Sequence, residues 1–246
     1  WAVFPDLLEA SGYAVGLTGK GWGPGDHTGQ GWTRNPAGPR FDRHTSAPPA
    51  SGIGKVDYAK NFEAFLDQRK DKKAPFSFWM GFQEPHRSYE LHSGTRLGKN
   101  LGEIVVPPYL PDIRAVRSDL ADYAIEVEWA DRHIGQALDH LEKIGQLENT
   151  LVIVTSDHGM PFPFVKGQIH EDGFRLPFVA RWGKQIKPGR VVEDFINVRD
   201  IAPTFLELAG VDRHPQITGT SCVPLLKSDQ SGWITGDRKV MLVGKE

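Results

Sequence analysis

The feature that most constrains this chain is a long amphipathic stretch that passes into a short β-branched run and stops at an acid and an imidazole. Across residues 116–144, Leu120, Tyr123, Ala124, Val127, Ala130, Ile134, Ala137, Leu138, Leu141 and Ile144 recur at helical spacing and trace one face. Gly145 is well placed to end that helix. The run LVIV (151–154) follows, then Thr155, Ser156, Asp157, His158 and Gly159. An amphipathic helix must bury its apolar stripe, and a short apolar β run beside it supplies the surface. The pattern predicts a layered α/β fold.

The rest of the sequence repeats that alternation. Phe4, Leu7 and Leu8 give a short amphipathic helix that Gly12 can end, and residues 13–18 read as a strand entering a glycine-rich turn. Residues 19–54, rich in Gly, Pro, His and Arg, read as a long surface excursion of the kind that often carries function. Helical spacing returns over 56–69 through Tyr58, Phe62, Phe65 and Leu66. The run PFSFWMGF (75–82) has the composition of a strand buried on both faces. A second apolar run covers 176–182, a helix over 200–209 ends at Gly210, and 240–243 reads as a last strand. Apolar strands separated by helices predict a mainly parallel sheet.

Composition narrows the function classes. At 246 residues, 39% hydrophobic and 24% charged, the chain has enough apolar material for one large globular domain. A net charge of −2 with interspersed signs gives no electrostatic case for nucleic acid or an anionic membrane. No apolar run reaches the length of a membrane span. One cysteine, Cys222, excludes an internal disulfide. The opening WAVFPDLLEASGY has neither the basic start nor the long apolar run of a signal peptide, and its Trp without Met reads as an excised or incomplete chain.

Four segments carry candidate chemistry. Asp157 and His158 leave a strand end, where open α/β sheets bind ligands, and both can reach one metal ion; the competing reading is an acid that caps the next helix. Lys166 can return a cation to the same strand end or stand free on the surface, while Arg175 suits a salt bridge supporting the loop. In GFQEPHRSYE, Pro85 stiffens the backbone before His86, a proton donor or a structural imidazole, and Arg87 is a candidate anion ligand. GYAVGLTGKGWGPG fails as a P-loop, which needs Gly at Ala14 and Ser or Thr at Gly21, but Lys20 on its turn can still bind an anion. An oxyanion held beside a cation explains all four economically.

These segments, in this order, resemble the sulfatase family of the alkaline-phosphatase-like superfamily. GYAVGLTGKGWGPG is similar to the family's second signature, GFQEPHR to its Pro-His segment, and TSDHGMPFPFVKGQIHEDGFRLPFVARW to its metal-binding segment and lysine loop. INVRDIAPTFLELAGV and ITGTSCVPLL resemble the later helix and the loop closing the main domain. The PHR and DHGMPFP details look closest to N-sulfoglucosamine sulfohydrolase-like members. The resemblance covers nearly the whole chain. It implies a three-layer sandwich around a mainly parallel sheet, and hydrolysis of a sulfate ester or sulfamate on a sulfated small molecule or glycan. Asp157 and His158 would ligate a divalent cation, calcium by family habit, with magnesium second. Lys166 would bind a sulfate oxygen, His86 would protonate the leaving group, Lys20 would neutralise the nucleophile, and Arg87 would contact substrate. Family members are periplasmic, extracellular or lysosomal.

Two departures accompany the resemblance. Trp22 stands where the second signature has histidine, and His27 nearby has no spacing argument to replace it. The formylglycine nucleophile of the family arises from a Cys/Ser-x-Pro-x-Arg motif upstream of the second signature. Cys222 has Pro224 in register, but Leu226 stands where the arginine belongs, so Cys222 reads as a packed loop residue. Residues 1–246 are therefore expected to form the main catalytic domain without its first strand, its nucleophile segment and most of its C-terminal subdomain. Such a piece is expected to be inactive alone, with an apolar sheet edge that an N-terminal extension of the native protein or another segment covers. Two rivals share these motifs: a phosphoesterase or phosphomutase of the same superfamily, and a non-catalytic sulfated-glycan-binding domain, which Trp22 favours.

Overall fold

A computed structural model describes residues 2–22 and 26–238; the expected strand at 240–243 lies outside the described residues. In chain order the elements are α1 (Phe4–Ala10), β1 (Ala14–Gly19), α2 (Tyr58–Gln68), β2 (Phe76–Gly81), α3 (Ser93–Arg96), α4 (Arg114–Lys143), β3 (Val152–Thr155), α5 (Glu171–Phe174), β4 (Phe178–Arg181), α6 (Ile201–Ala209) and α7 (Val223–Lys227).

The core forms around β1. Because strand side chains alternate, Val15 faces Leu8 of α1, Leu206 of α6 and Ile217, while Gly16 faces Phe41 and Phe65. On that second side Phe62, Phe65 and Leu66 of α2 meet Ala137 and Leu141 of α4, with Phe76, Phe78 and Met80 of β2 packed against them. Helices on both faces of one strand make three layers. Each fully buried Leu or Phe contributes about 1.5–3 kcal/mol relative to exposure, so these two clusters dominate the apolar driving force here.

β1 and β2 pair in parallel, from Ala14 opposite Phe76 to Gly19 opposite Gly81. A parallel pair needs a long crossover, and residues 20–75, including α2, provide it. Part of that crossover is not the surface excursion its composition suggested. Leu17 N–H donates to Pro39 O (2.9 Å) and Phe41 N–H donates to Leu17 O (2.8 Å), so residues 39–41 line the other edge of β1. Unpaired strand-edge groups attract any extended backbone nearby, a pull that composition does not reveal.

Three other expectations change. β3 and β4 run antiparallel, Val152 opposite Arg181, and among the described residues no ladder joins them to β1 and β2. Their connection contains only the four-residue α5, too short to carry the chain back across a sheet. β2 is covered on one face only: Phe76, Phe78 and Met80 pack inward, whereas Trp79 is 41% exposed. On α4 the buried stripe is rotated from the expected one. Val127 and Ile144 are exposed, while Asp122, Glu126, Trp129 and His133 are buried. Asp122 goes inside because it accepts N–H bonds from His92 (3.0 Å) and Gly94 (2.8 Å), which satisfies the start of α3.

The ends of β1 and β2 meet so closely that only glycine fits. Gly19 has φ +72°, and a Cβ there would lie 2.2 Å from Gly81 O and 2.6 Å from the Tyr58 ring. Gly19→Ala is therefore expected to cost about 2 kcal/mol or more, lowering Tm by roughly 4–8 °C. Gly12→Ala, also at positive φ but with nothing within 4 Å, is the comparator and should cost less. Equal shifts in thermal melts of the two variants would refute the close-approach argument.

Candidate active site

Lys20 leaves the C-terminal end of β1, and its N–H donates to Gly81 O at 2.6 Å. The turn beneath it is held by Asp42, which accepts from Thr18 Oγ1 (2.8 Å), Gly19 N (2.8 Å) and Arg40 (2.8 Å). Burial works against the Asp42 carboxylate, but Arg40, Gly19 and Thr18 outweigh it and hold the group below the usual range. Arg40 also donates to Gly19 O (2.5 Å). Asp42 and Arg40 escaped the sequence reading because nothing in the crossover marked them as returning to β1. Trp22, two residues on from Lys20, stacks edge-on against Trp32 with centroids 4.8 Å apart.

The parallel pairing sends the segment after β2 to the same end of the sheet as Lys20. His86 is exposed, and its Nδ1 lies 2.5 Å from Arg87 O. A carbonyl accepts only, so Nδ1 carries the hydrogen and Nε2 remains for other partners. Arg87, expected to contact substrate, is committed elsewhere. It donates to both oxygens of Asp119 (2.9 and 2.5 Å) and to Pro161 O (2.9 Å), between the rings of Tyr89 and Phe162, each 4.7 Å away. The planar guanidinium matches a carboxylate with two parallel bonds, so a nearby Asp outcompetes a transient anion. The effect is to bracket the His86 segment onto the 157–162 loop.

That loop carries the acid and imidazole. His158 Nδ1 lies 2.7 Å from Gly159 O and so donates, which leaves the Nε2 lone pair 3.6 Å from Asp157 Oδ1. The Asp157 side chain is 70% exposed and makes no hydrogen bond to a helix N-terminus, so the capping role does not apply. A Cβ on Gly159 would meet Asp172 O at 1.9 Å, and Gly159 N–H donates to Gly173 O (3.0 Å), closing the loop behind the pair. One oxygen and one imidazole nitrogen facing each other suit a divalent cation. Calcium takes 6–8 ligands, and among the described residues no group of three or more His, Cys, Asp or Glu is suited to a metal. The pair supplies two donors of the kind such a cation takes, fewer than its full set.

Lys166 is exposed on the loop that Phe162 and Val165 anchor by burial. Among the described residues neither Lys20 nor Lys166 enters an ion pair, whereas Arg175 pairs with Glu171 at 2.7 Å, the supporting role expected of it. Backbone and bracket contacts thus link the segments of Lys20, His86 and Asp157–His158. Of the six expected site side chains, only Asp157 and His158 are seen as a close pair. Cys222 is buried, its N–H donates to Thr204 Oγ1 (2.8 Å), and burial pushes its thiol up. It is a packing residue.

Comparison with solved structures shows a shared fold, with structures described as sulfatases among the neighbours. A structure solved in complex with its substrate D-glucosamine-2-N,6-O-disulfate superposes with a TM-score of 0.67 at 21% identity, covering 97% of this chain and 66% of that one. The chain belongs to the sulfatase family, whose model, described as Sulfatase, matches residues 2–211. Among relatives, N-acetylglucosamine-6-O-sulfatase of Bacteroides thetaiotaomicron is 38% identical over 114 residues, 45% of this chain and 20% of that protein. N-sulphoglucosamine sulphohydrolase of Homo sapiens is 27% identical over 198 residues, 67% of this chain and 39% of that protein. The chain thus spans 20% and 39% of the length of these two relatives. The family is generally calcium- and formylglycine-dependent. Among the described residues no helix is long and apolar enough to cross a membrane.

The burial of Cys222 has a direct readout. Its thiol is expected to react with a disulfide reagent at least about 100-fold more slowly in the folded chain than in denaturant. A native rate equal to the denatured rate would show that the loop around α7 is open.

Proposed function

We propose that the protein to which this chain belongs hydrolyses a sulfate ester or sulfamate on a sulfated sugar. The observation that carries this reading is the Asp157–His158 pair: an exposed carboxylate 3.6 Å from an imidazole nitrogen whose tautomer leaves its lone pair free. Relatives named for sulfated glucosamine support the substrate class. A divalent cation held by Asp157 and His158, calcium before magnesium, would draw negative charge from the sulfate oxygens.

The chain's own residues then divide the remaining work. Lys166, without an ion-pair partner among the described residues, binds a sulfate oxygen and offsets its charge. Lys20 sits at the β1 end, where a cation neutralises an attacking oxygen. His86, with Nδ1–H bound to Arg87 O, presents Nε2 outward. Its imidazolium gives a proton to the departing oxygen or nitrogen as the S–O or S–N bond breaks. Water supplies the other atoms, so the products are free sulfate and an alcohol or amine. Arg87 holds His86 against the Asp157 loop. Cys222, buried and without the arginine at Leu226, is no candidate for the formylglycine precursor. Residence in a periplasmic, extracellular or lysosomal compartment belongs to the same proposal.

Sulfate release from glucosamine 6-O- and N-sulfates by the full-length protein tests this reading. Calcium should sustain turnover and a chelator should abolish it. His86→Asn should lower kcat by about 10²–10⁴-fold, the usual contribution of a positioned proton donor. Asp157→Asn should weaken calcium binding measured by titration calorimetry without substrate. Release of phosphate in place of sulfate, or glycan binding without any release, would overturn it.

A further inference from the structure

Behind the His86 segment lies a cluster of buried polar side chains that the chemistry above does not use. Glu84 and Glu126 are 5% and 2% exposed, and Asp57, Tyr58, Trp129 and His133 are buried with them. Glu84 is well satisfied, accepting from Gly54 N–H (2.8 Å) and from the Tyr58 hydroxyl (2.8 Å). The same Tyr58 oxygen accepts from Gln83 N–H at 3.0 Å. These bonds clamp the two residues leading to Pro85 and His86 onto α2 and residue 54.

Glu126 enters this cluster from α4 differently. Its Oε1 is buried with no hydrogen-bond partner among the described residues, and it would lie 3.6 Å from a Cβ on Gly52. The ionisable groups facing it are Glu84 and, on the segment after His86, Tyr89. His133, farther along α4, lies 3.6 Å from Asp57 and near Arg132, and neither of its ring nitrogens has a hydrogen-bond partner among the described residues. Burial holds His133 below the usual imidazole range, so it is neutral at pH 7 and supplies no counter-charge. Among the described residues no metal-type cluster occupies this space. Two buried carboxylates without a cation cannot both ionise cheaply. Burial, and then the charge of Glu84, favour the protonated form of Glu126.

We propose that Glu126 is a positioning residue for His86: as a neutral acid it leaves the Tyr58–Glu84 clamp intact, and on losing its proton to solvent it repels Glu84 and loosens the clamp. This rests on the reading of His86 as proton donor. Burial first, and then the charge of Glu84, push Glu126 from 4.5 up to about 7. The stability tied to this proton is complete below the unfolded value of 4.5 and lost as pH rises through about 7.

Two measurements on the full-length protein, wild type and Glu126→Gln, test the proposal. The first is the pH titration of the His86 ring by NMR, assigned with His86→Asn. Wild type should show a second inflection near the Glu126 value that Glu126→Gln removes. The second is kcat/KM for sulfate release against pH, where Glu126→Gln should raise the alkaline limb by about one pH unit or more. Glu126→Met, apolar and of similar length, repeats both measurements if the Gln variant fails to fold. Identical His86 titrations in wild type and variants overturn the proposal. Loss of the inflection with no sulfate release from any protein keeps the coupling and overturns the hydrolase reading instead.

Discussion

Backbone meets backbone at the end of the β1–β2 ladder, and the rest of the molecule is arranged around that contact. Gly19 and Gly81 face each other in register, each too close to neighbouring carbonyls for a side chain. The contact fixes where Lys20 emerges and where the segment leading to His86 begins. It also fixes Tyr58, whose ring would meet a Cβ on Gly19 and whose hydroxyl bridges Gln83 and Glu84. A shift of one strand by a single residue would reverse every face and separate these groups.

The cations divide by chemistry. Arg40, Arg87 and Arg238 each spend a forked set of donors on a carboxylate plus a backbone carbonyl, tying a loop to an element. Arg238 does so in a nearly buried pair with Asp200 at 2.9 Å. Lys20 and Lys166 stand apart from this lattice among the described residues. A planar fork fits fixed acceptors, whereas an ammonium on a flexible stem can follow a ligand. The division of labour at the proposed site follows from that difference.

Helix α4 connects these themes. Its apolar residues meet α2, while Asp119, Asp122, Glu126 and His133 project polar groups under the loops above. Asp119 holds Arg87, Asp122 holds the start of α3, and Glu126 stands against Glu84. A rigid helix spaces these groups at one-turn intervals, so loops that share no regular structure still acquire fixed positions.

Sequence alone determined the α/β class, the order of the longer helices and of strands β1 to β4, and the strand-end location of Lys20 and of Asp157–His158. Periodicity reports burial, and glycine reports turns, so both are local signals. The pairing of His158 with Asp157 was legible for the same reason, since neighbours in the chain are neighbours in space. Tertiary structure decided what depends on residues far apart in the chain. Arg87 was free to read as an anion ligand until Asp119, thirty-two positions on, took its donors. Asp42 joined the Lys20 turn only because residues 39–41 return to the edge of β1. Likewise, α4 buries Asp122, which its helical pattern assigned to solvent, because its donors arrive from the start of α3. Long-range pairing of polar groups has no period to read, and only the folded chain shows which partner arrives.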